Sequence, residues 1–311
     1  MLREFRSSDA DALYPLLVRN FPEEDALLGW EPASLHQIVR RFYRWDARLV
    51  LGFLRLIRRP VFRFFVIDVE GKPAATTTLV FSANSGYVGA VMVDAPFRGR
   101  GFARRLLEAA MQATRAAGKP FVVLDVLADN APARALYASV GFERLRSQAY
   151  FLRDGGPLPK LDSAAEGRVR PLRSADRKPL AALASGALPA KVAEVLPVRP
   201  RDFHVPPVVV AGLESETQAW VAPAEGPARA FVRATVSRAM TSANLTAPLV
   251  GATVSDEEAI ALVQCAVRWV EERGRARIVT ELPDHNARGR ELLERTGFHA
   301  AYQIETLYRP L

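Results

Sequence analysis

The sequence predicts an α/β fold, with a mixed α+β sheet, that occurs twice along the chain. Three observations lead to this prediction. The 311 residues suffice for about two domains of roughly 100–200 residues each. Short strand-like segments alternate with amphipathic helical segments. Finally, the start of the chain recurs near its middle, and the end of the first half recurs near the C-terminus.

Two pairs of segments carry this internal repeat. Residues 2–9 (LREFRSSD) resemble residues 169–176 (VRPLRSAD) at an offset of 167, and a helical pattern follows each. Residues 130–142 resemble 286–298 at an offset of 156, each running from Asn-Ala to Gly-Phe. A repeat of this length indicates two copies of one domain rather than a solenoid. We expect domains at 1–153 and 168–311, joined by a linker rich in Gly, Pro and Ser at 154–167.

The elements of the first half follow from hydrophobic periodicity and turn residues. A strand is predicted at 2–6 and a helix at about 9–19. Residues 34–58 have apolar positions every three or four residues, which indicates one or two amphipathic helices. The remaining predictions are strands at 61–69, 74–81, 87–93 and 121–127, helices at about 101–117 and 131–140, and a last strand near 147–152.

Composition is that of a globular protein, with 49% hydrophobic and 24% charged residues. No apolar run approaches the ~18 residues that a membrane span needs. The charged N-terminus does not resemble a signal peptide, and the single cysteine, Cys265, excludes an intrachain disulfide. We therefore expect a cytoplasmic protein. The four histidines are scattered without metal-ligand spacing, so no metal site is expected.

The net charge of +8 comes mainly from arginine, which supplies 37 of the 42 basic residues. These residues are spread along the chain, which favours a compositional origin over nucleic-acid binding. Residues 40–63 differ, with eight arginines against one acid. They are interpreted first as a solvated helix face. The alternative is a surface that attracts an acidic acceptor or an anionic membrane.

A glycine-rich loop between a strand and a helix is the sharpest functional signal. Residues 96–101 (PFRGRG) follow the strand at 87–93 and open the next helix. Unpaired backbone N–H groups and the helix dipole at such a site bind phosphate groups. The loop lacks the lysine of a Walker A motif, and Arg104 stands where a dinucleotide-binding loop needs its third glycine.

Two motifs together resemble the GCN5-related N-acetyltransferase (GNAT) superfamily. The first is Arg98-x-x-Gly101-x-Ala103, similar to that family's acetyl-CoA loop. The second runs from Leu124 through Asn130 and Leu136-Tyr137 to Gly141-Phe142. The resemblance implies two tandem GNAT-like domains, each with a central, mostly antiparallel mixed sheet flanked by helices. It also implies acetyl-CoA (coenzyme A) as co-substrate and no metal. The implied cofactor-binding residues are Val91, Met92, Val93, Arg98, Gly99, Arg100, Gly101, Phe102, Ala103, Asn130, Ala133 and Tyr137.

The implied reaction is acetyl transfer to a primary amine by direct attack in a ternary complex. By resemblance, Tyr137 is the acid that protonates the departing thiolate and Asp125 is the base, while a strand N–H near Val93 polarises the carbonyl. Three of the residues with an implied role have a structural alternative. Tyr137 could be a core tyrosine, Asp125 a hydrogen-bond acceptor for a neighbouring loop, and Asn130 a helix N-cap. Four acids in the acceptor region stay open as alternative bases: Glu23, Glu24, Asp25 and Glu31.

The second copy is expected to keep the fold and to lack the chemistry. At the offset of 156, Glu257 replaces Gly101 and Leu293 replaces Tyr137. The acids at 256–258 would repel a pyrophosphate. The tandem organisation resembles that of mycothiol synthases, but there the C-terminal copy is catalytic. The main alternative to an enzyme is an acyl-CoA-binding or sensing protein whose second domain binds a partner. The acceptor is expected to be a small-molecule or a peptide or protein amine, with no nucleic acid and no membrane span. A homodimer stays open.

Overall fold

The structure is a computed structural model of the chain. It describes residues 1–9, 12, 15, 16, 19, 20, 62–160, 167–205, 209, 210, 213–238 and 240–311. Residues 12, 15, 16, 19 and 20 are helical, as expected for the helix at 9–19. Outside the described residues lie the segment 34–58, all but the end of the arginine-rich segment 40–63, and the acids Glu23, Glu24, Asp25 and Glu31.

The strands alternate with helices in the same order in both halves. In chain order the strands are β1 Leu2–Glu4, β2 Phe62–Val69, β3 Lys72–Phe81, β4 Ser85–Val93, β5 Phe121–Leu127, β6 Glu143–Asp154, β7 Arg170–Pro171, β8 Val209–Val210, β9 Leu213–Ala222, β10 Ala230–Ser237, β11 Ala243–Leu245, β12 Leu249–Val250, β13 Arg277–Pro283 and β14 His299–Pro310. The helices described in full are α1 Phe102–Ala116, α2 Ala131–Ser139, α3 Arg177–Ala187, α4 Ala190–Val195, α5 Asp256–Glu271 and α6 Ala287–Arg295.

Most predicted elements of the first half are confirmed, and the strand at 121–127 has the predicted bounds. The last strand is longer than the sequence predicts. It is expected near 147–152, whereas β6 covers Glu143–Asp154. The polar residues at its start give no strand pattern by themselves. They are extended because β14 pairs with β6 along almost its whole length, from Glu143 to Leu152.

The strands of both halves form one continuous mixed sheet, and the last strand of each half lies in the other half. The order is β1-β2-β3-β4-β5-β14-β6-β13-β11-β10-β9-β7, with β12 beside β10 and β8 beside β9. β14 from the C-terminus pairs with β5 of the first half, and β6 of the first half pairs with β13. The two exchanged strands pair with each other at the centre. Because the sequence alternates strands and helices locally, it does not reveal this exchange.

The hydrophobic cores confirm that each half depends on the other. The core around α1 and β5 includes Leu307 from β14. The core around α5 and β13 includes Ala149 and Phe151 from β6. Burial of these side chains stabilises each half by the ordinary hydrophobic effect, so each core is completed by a strand from the other half.

Two arginines fix the exchanged strands at equivalent places. Arg153 on β6 is fully buried and donates from Nε to the carbonyl of Thr296 at 3.1 Å, where α6 ends. Arg309 on β14 donates from Nη1 to the carbonyl of Val140, where α2 ends. Carbonyls at helix C-termini lack partners within the helix. Each exchanged strand therefore satisfies the end of a helix in the opposite half.

The repeated segments at 2–9 and 169–176 form the same ion pair, which is partly buried in the first copy and buried in the second. The guanidinium of Arg3 contacts both oxygens of Asp9 at 2.7 Å, and that of Arg170 contacts both oxygens of Asp176 at 2.7 and 2.8 Å. Each carboxylate also accepts a backbone N–H, from Arg6 or Arg173. The Arg170 guanidinium lowers the pKa of Asp176, so the folded protein holds this carboxylate ionised.

We expect a fragment of residues 1–160 to be unable to form a folded monomer. It lacks β14, so β5 becomes an open edge and the first core loses Leu307. Light scattering after size exclusion should show dimers, in which β6 of each copy lies beside β5 of the other, or aggregates. Co-expression of residues 161–311 should restore a one-to-one complex. A folded monomeric fragment would contradict the dependence on exchange.

The substitution Asp176→Asn should lower the free energy of unfolding by about 3–5 kcal/mol at pH 7, because it leaves Arg170 buried and unpaired. The folded-state pKa of Asp176 is depressed, so its contribution is complete above the unfolded value of about 3.9 and is lost as the pH falls further. Urea unfolding followed by tryptophan fluorescence should therefore show a smaller difference between the variant and the wild type at about pH 3 than at pH 7. Asp129→Asn, at an exposed carboxylate, should change stability by less than about 0.5 kcal/mol. A pH-independent difference for Asp176→Asn would contradict this account.

Candidate functional site

A cleft opens where β4 and β5 separate. The two strands run parallel and pair only from Ser85–Tyr87 to Phe121–Val123. Beyond Tyr87, β4 contains a bulge at which Ala90 has a positive φ of 48° and the register against β3 shifts. The strands therefore diverge and leave a cleft of about 930 Å³ between them.

The cleft connects the two faces of the sheet. On one face, Leu124 and Val126 of β5 pack in the same core as Tyr137 of α2. Asp125 alternates with them and so belongs to the opposite face. Both Tyr137 and Asp125 nevertheless line the cleft. A molecule in the cleft can therefore contact groups from both faces.

The glycine-rich loop forms one end of the cleft and leaves the start of α1 open. Gly99 and Gly101 both have φ of +75°, a conformation that glycine adopts readily, and no atom of the described residues lies within 4 Å of where a Cβ would stand. Gly101 is the N-cap of α1 and has no side chain to cap it, and the first turn of the helix contains no acid. The first N–H groups of α1 are therefore available to an anion, and the helix dipole favours negative charge there. This cradle suits the pyrophosphate of coenzyme A.

The arginines of the loop differ in position. Arg98 lines the cleft and donates to the carbonyl of Val93 at 3.2 Å and to the side chain of Asn20 at 3.0 Å. Arg100 is exposed and lies over the ring of Phe97, 5.3 Å from its centroid. Both guanidinium groups are exposed, and Arg98 is the one that forms part of the cleft wall.

The other residues predicted to bind the cofactor fall into three groups. Val91, Val93, Phe102, Ala103 and Ala133 line the cleft. The side chain of Met92 instead packs in a separate core with Phe5, Leu16 and Val66. Asn130 lines the cleft and caps α2, accepting the N–H of Ala133 at 3.2 Å, so its N-cap alternative holds. The cofactor-binding roles of all these residues stay predictions.

Tyr137 is both a core residue and part of the cleft wall. It is 7% exposed and meets the ring of Phe142 edge-on, with centroids 6.0 Å apart. Packing of the ring fixes where the side chain lies. Both interpretations from the sequence, a core tyrosine and a residue at the site, are thus compatible with its position.

Asp125 is held by a tyrosine that the sequence motifs do not single out. The hydroxyl of Tyr87 donates to Oδ2 of Asp125 at 2.9 Å. Oδ1 of Asp125 is shielded from water and accepts no hydrogen bond from the described residues. Tyr87 is partly exposed, yet the surrounding protein, and then the charge of Asp125, raise its pKa, so Tyr87 stays protonated and remains a donor at neutral pH. The one available signal in the sequence is the place of Tyr87 near the start of the strand that leads into the glycine-rich loop.

The second half contributes a further carboxylate near Asp125. Glu281 on β13 is the counterpart of Asp125 in the second copy and pairs in register with Tyr150 on β6. Tyr150 lines the cleft and its side chain hydrogen-bonds Glu281. Burial by the surrounding protein, and then the charge of Asp125, raise the pKa of Glu281, while Tyr150 and Arg146 lower it in part. Only the strand exchange brings these groups together, so sequence analysis misses them.

The equivalent helix start in the second half is filled by its own side chains. Ser255 caps α5 in a capping box with Glu258, and three acids occupy the first turn. Arg288 donates to the carbonyls of Gly251, at 2.7 Å, and Val254, and Arg295 pairs with Asp256 at 2.7 Å. Leu293, the counterpart of Tyr137, is fully buried. This helix start therefore has no open anion site like that of α1.

The fold and the cleft together define a two-domain protein of the acetyltransferase fold. Residues 11–142 match the model of the acetyltransferase (GNAT) family. This match covers most of the first half, and the chain as a whole has a tandem GNAT fold. No curated protein sequence matches the chain significantly.

Solved tandem structures resemble the whole chain at low sequence identity. A tandem GNAT protein from the clavulanic acid biosynthesis pathway has a TM-score of 0.65 and 14% identity, covering 100% of this chain and 98% of that one. A GCN5-related N-acetyltransferase from Sphaerobacter thermophilus has a TM-score of 0.64 and 14% identity, covering 100% and 95%. An acetyltransferase from Pyrococcus horikoshii has a TM-score of 0.60 and 13% identity, covering 100% and 89%. These likenesses show the fold.

Two further features of the described residues bear on function. None of their helices has the length and apolar character needed to cross a membrane. Among the same residues, no three His, Cys, Asp or Glu side chains are grouped so as to bind a metal ion.

Proposed function

We propose that the chain is an acetyl-CoA-dependent N-acetyltransferase that acts through its first domain on a primary amine. The observation that carries the proposal is the continuity of one cleft, from the uncapped start of α1 to the carboxylate of Asp125 on the other face of the sheet. The cofactor end and the acceptor end of such a cleft meet between the splayed strands. Direct attack in a ternary complex requires this arrangement.

The loop and the start of α1 would hold the pyrophosphate, through backbone N–H groups near Gly99 and Gly101 and through Arg98. Bound acetyl-CoA supplies an activated acetyl group as a thioester. Past Tyr87, β4 has no strand partner on its β5 side, so its backbone N–H groups there, toward Val93, can polarise a carbonyl oxygen in the cleft.

Proton transfers fall to the two side chains from opposite faces of the sheet. Asp125 would take the proton of the attacking ammonium, and the hydroxyl of Tyr87 orients its carboxylate for this task. Tyr137, on the side of the cofactor loop, would donate a proton to the thiolate that leaves. The two roles require groups on opposite sides of the reacting carbonyl, and the cleft provides one on each side.

Calorimetric titration should give one acetyl-CoA site per chain. Gly101→Glu should abolish binding, because it places a negative charge and a strained residue at the start of α1. A matched control is Gly226→Glu, which has the same open surroundings and a φ of +77° in the second half; it should leave binding unchanged. Two sites would show that the second copy binds as well. Absence of acetyl-CoA binding would exclude the proposed acetyltransferase activity.

Tyr137→Phe should lower kcat about 10²-fold or more, which is the usual effect of losing a general acid. Acetyl-CoA affinity should stay within about twofold, because the ring and its contact with Phe142 remain. Release of free thiol measures turnover, and calorimetry measures binding. Full activity in the variant would exclude Tyr137 as the acid. Binding without turnover of any amine in the wild type would favour the acyl-CoA-sensing alternative.

A further inference from the structure

The acceptor end of the cleft is partly built by the second half of the chain. Helix α4 packs on this face of the first-half sheet, where Val195 contacts the core of Phe121 and Val123. The carbonyl of Glu194 in α4 accepts a hydrogen bond at 2.9 Å from the side chain of Asn84, in the turn before β4. The exchanged strands contribute Tyr150 and Ile304 to the cleft wall. The site that receives the amine is therefore shared between the domains.

The described charged groups around this end are mainly acidic. The charges of Asp125 and Glu281 act on each other, and Arg146 on β6 is the cation that acts on both. His285, in the loop after β13, lies near Arg146 and Asp284, and burial, together with Arg146, lowers its pKa, so it adds no positive charge at neutral pH. Two carboxylates against one guanidinium leave a net negative charge among these groups.

Neither carboxylate is fully stabilised by the hydrogen bonds and charges of the described residues around it. Oδ1 of Asp125 is buried and accepts no hydrogen bond within the described part of the chain, an arrangement that costs free energy until a donor arrives. Glu281 is reached by solvent, yet the surrounding protein raises its pKa, so its charge is poorly stabilised. A bound cation with N–H donors would satisfy both groups. Tyr150 lines the cleft together with Asp125 and pairs in register with Glu281, and its ring adds a surface that attracts cations.

We propose that the acceptor is an amine bearing a second, positively charged ammonium group, and that Glu281 of the second domain is the residue that selects it. The reacting amino group lies beside Asp125, and the chain of the acceptor passes Tyr150, so that the distal ammonium reaches Glu281. Glu281 lies beyond the walls of the cleft itself, which suits a distal group rather than the reacting one. This inference rests on the proposed acetyltransferase function and adds the substrate class.

The test compares α,ω-diamines of three to six carbons with the n-alkylamine of the same length, using the full-length protein and thiol release. The best diamine should have a KM about tenfold or more below that of its monoamine. Glu281→Gln should raise the KM for the diamine about tenfold with kcat within about twofold, and should leave the monoamine unchanged. Glu281→Asp should retain part of the preference. Glu294→Gln, an exposed carboxylate on α6, should have no effect.

Equal use of diamines and monoamines by the wild type would overturn this inference and leave the proposed acetyltransferase function intact. An equal rise in KM for the diamine and the monoamine in Glu281→Gln would also overturn the inference, because a structural defect would act on both substrates. If the wild type acetylates none of these amines, the same diamines are titrated into the protein saturated with coenzyme A. Binding that Glu281→Gln abolishes supports the inference, and absence of binding overturns it, whereas the acetyl-CoA titration judges the proposed function separately.

Discussion

The pairing of β6 with β14 at the centre of the sheet is the interaction on which the rest of the structure depends. Each strand completes the sheet of the half to which it does not belong in sequence, and each brings core residues with it. An unexchanged pair of domains would need only a modest interface between two closed sheets. Here the interface consists of backbone hydrogen bonds and buried side chains. The two halves therefore form one cooperative unit, and the cleft of the first half has a wall that the second half provides.

The two copies share what the architecture requires and differ where a ligand would bind. The pairs Arg3–Asp9 and Arg170–Asp176 hold equivalent strands to equivalent turns. The N-caps Asn130 and Asn286 start equivalent helices. In contrast, α1 begins at an uncapped glycine, whereas α5 begins with a capping box, three acids and two arginine contacts. A well-capped helix start is favourable for stability, and it removes the donors that a phosphate would use.

Sequence analysis finds the parts of the site that lie within short contiguous motifs. The loop at 96–101 and the segment around Asp125 and Tyr137 are local patterns, and hydrophobic alternation alone assigns Asp125 to one face of its strand. Sequence analysis does not identify the groups around Asp125, and the reason is physical. Tyr87 reaches Asp125 through a parallel strand pair, and Tyr150 and Glu281 approach it through the exchange. Such long-range pairings depend on which strands meet, and local periodicity carries no information about that.

A copy that has lost its ligand site can still determine what the other copy accepts. Under the proposed function, the first domain provides everything needed to hold acetyl-CoA and to move protons. The recess beside Asp125 is different, since its electrostatics depend on Glu281, Arg146 and Tyr150, two of which lie on an exchanged strand and one on β13. A substitution in the second domain could therefore change acceptor preference while the cofactor cradle and Tyr137 stay as they are. Under these two proposals, one copy would carry the chemistry, and both copies would contribute to recognition of the acceptor.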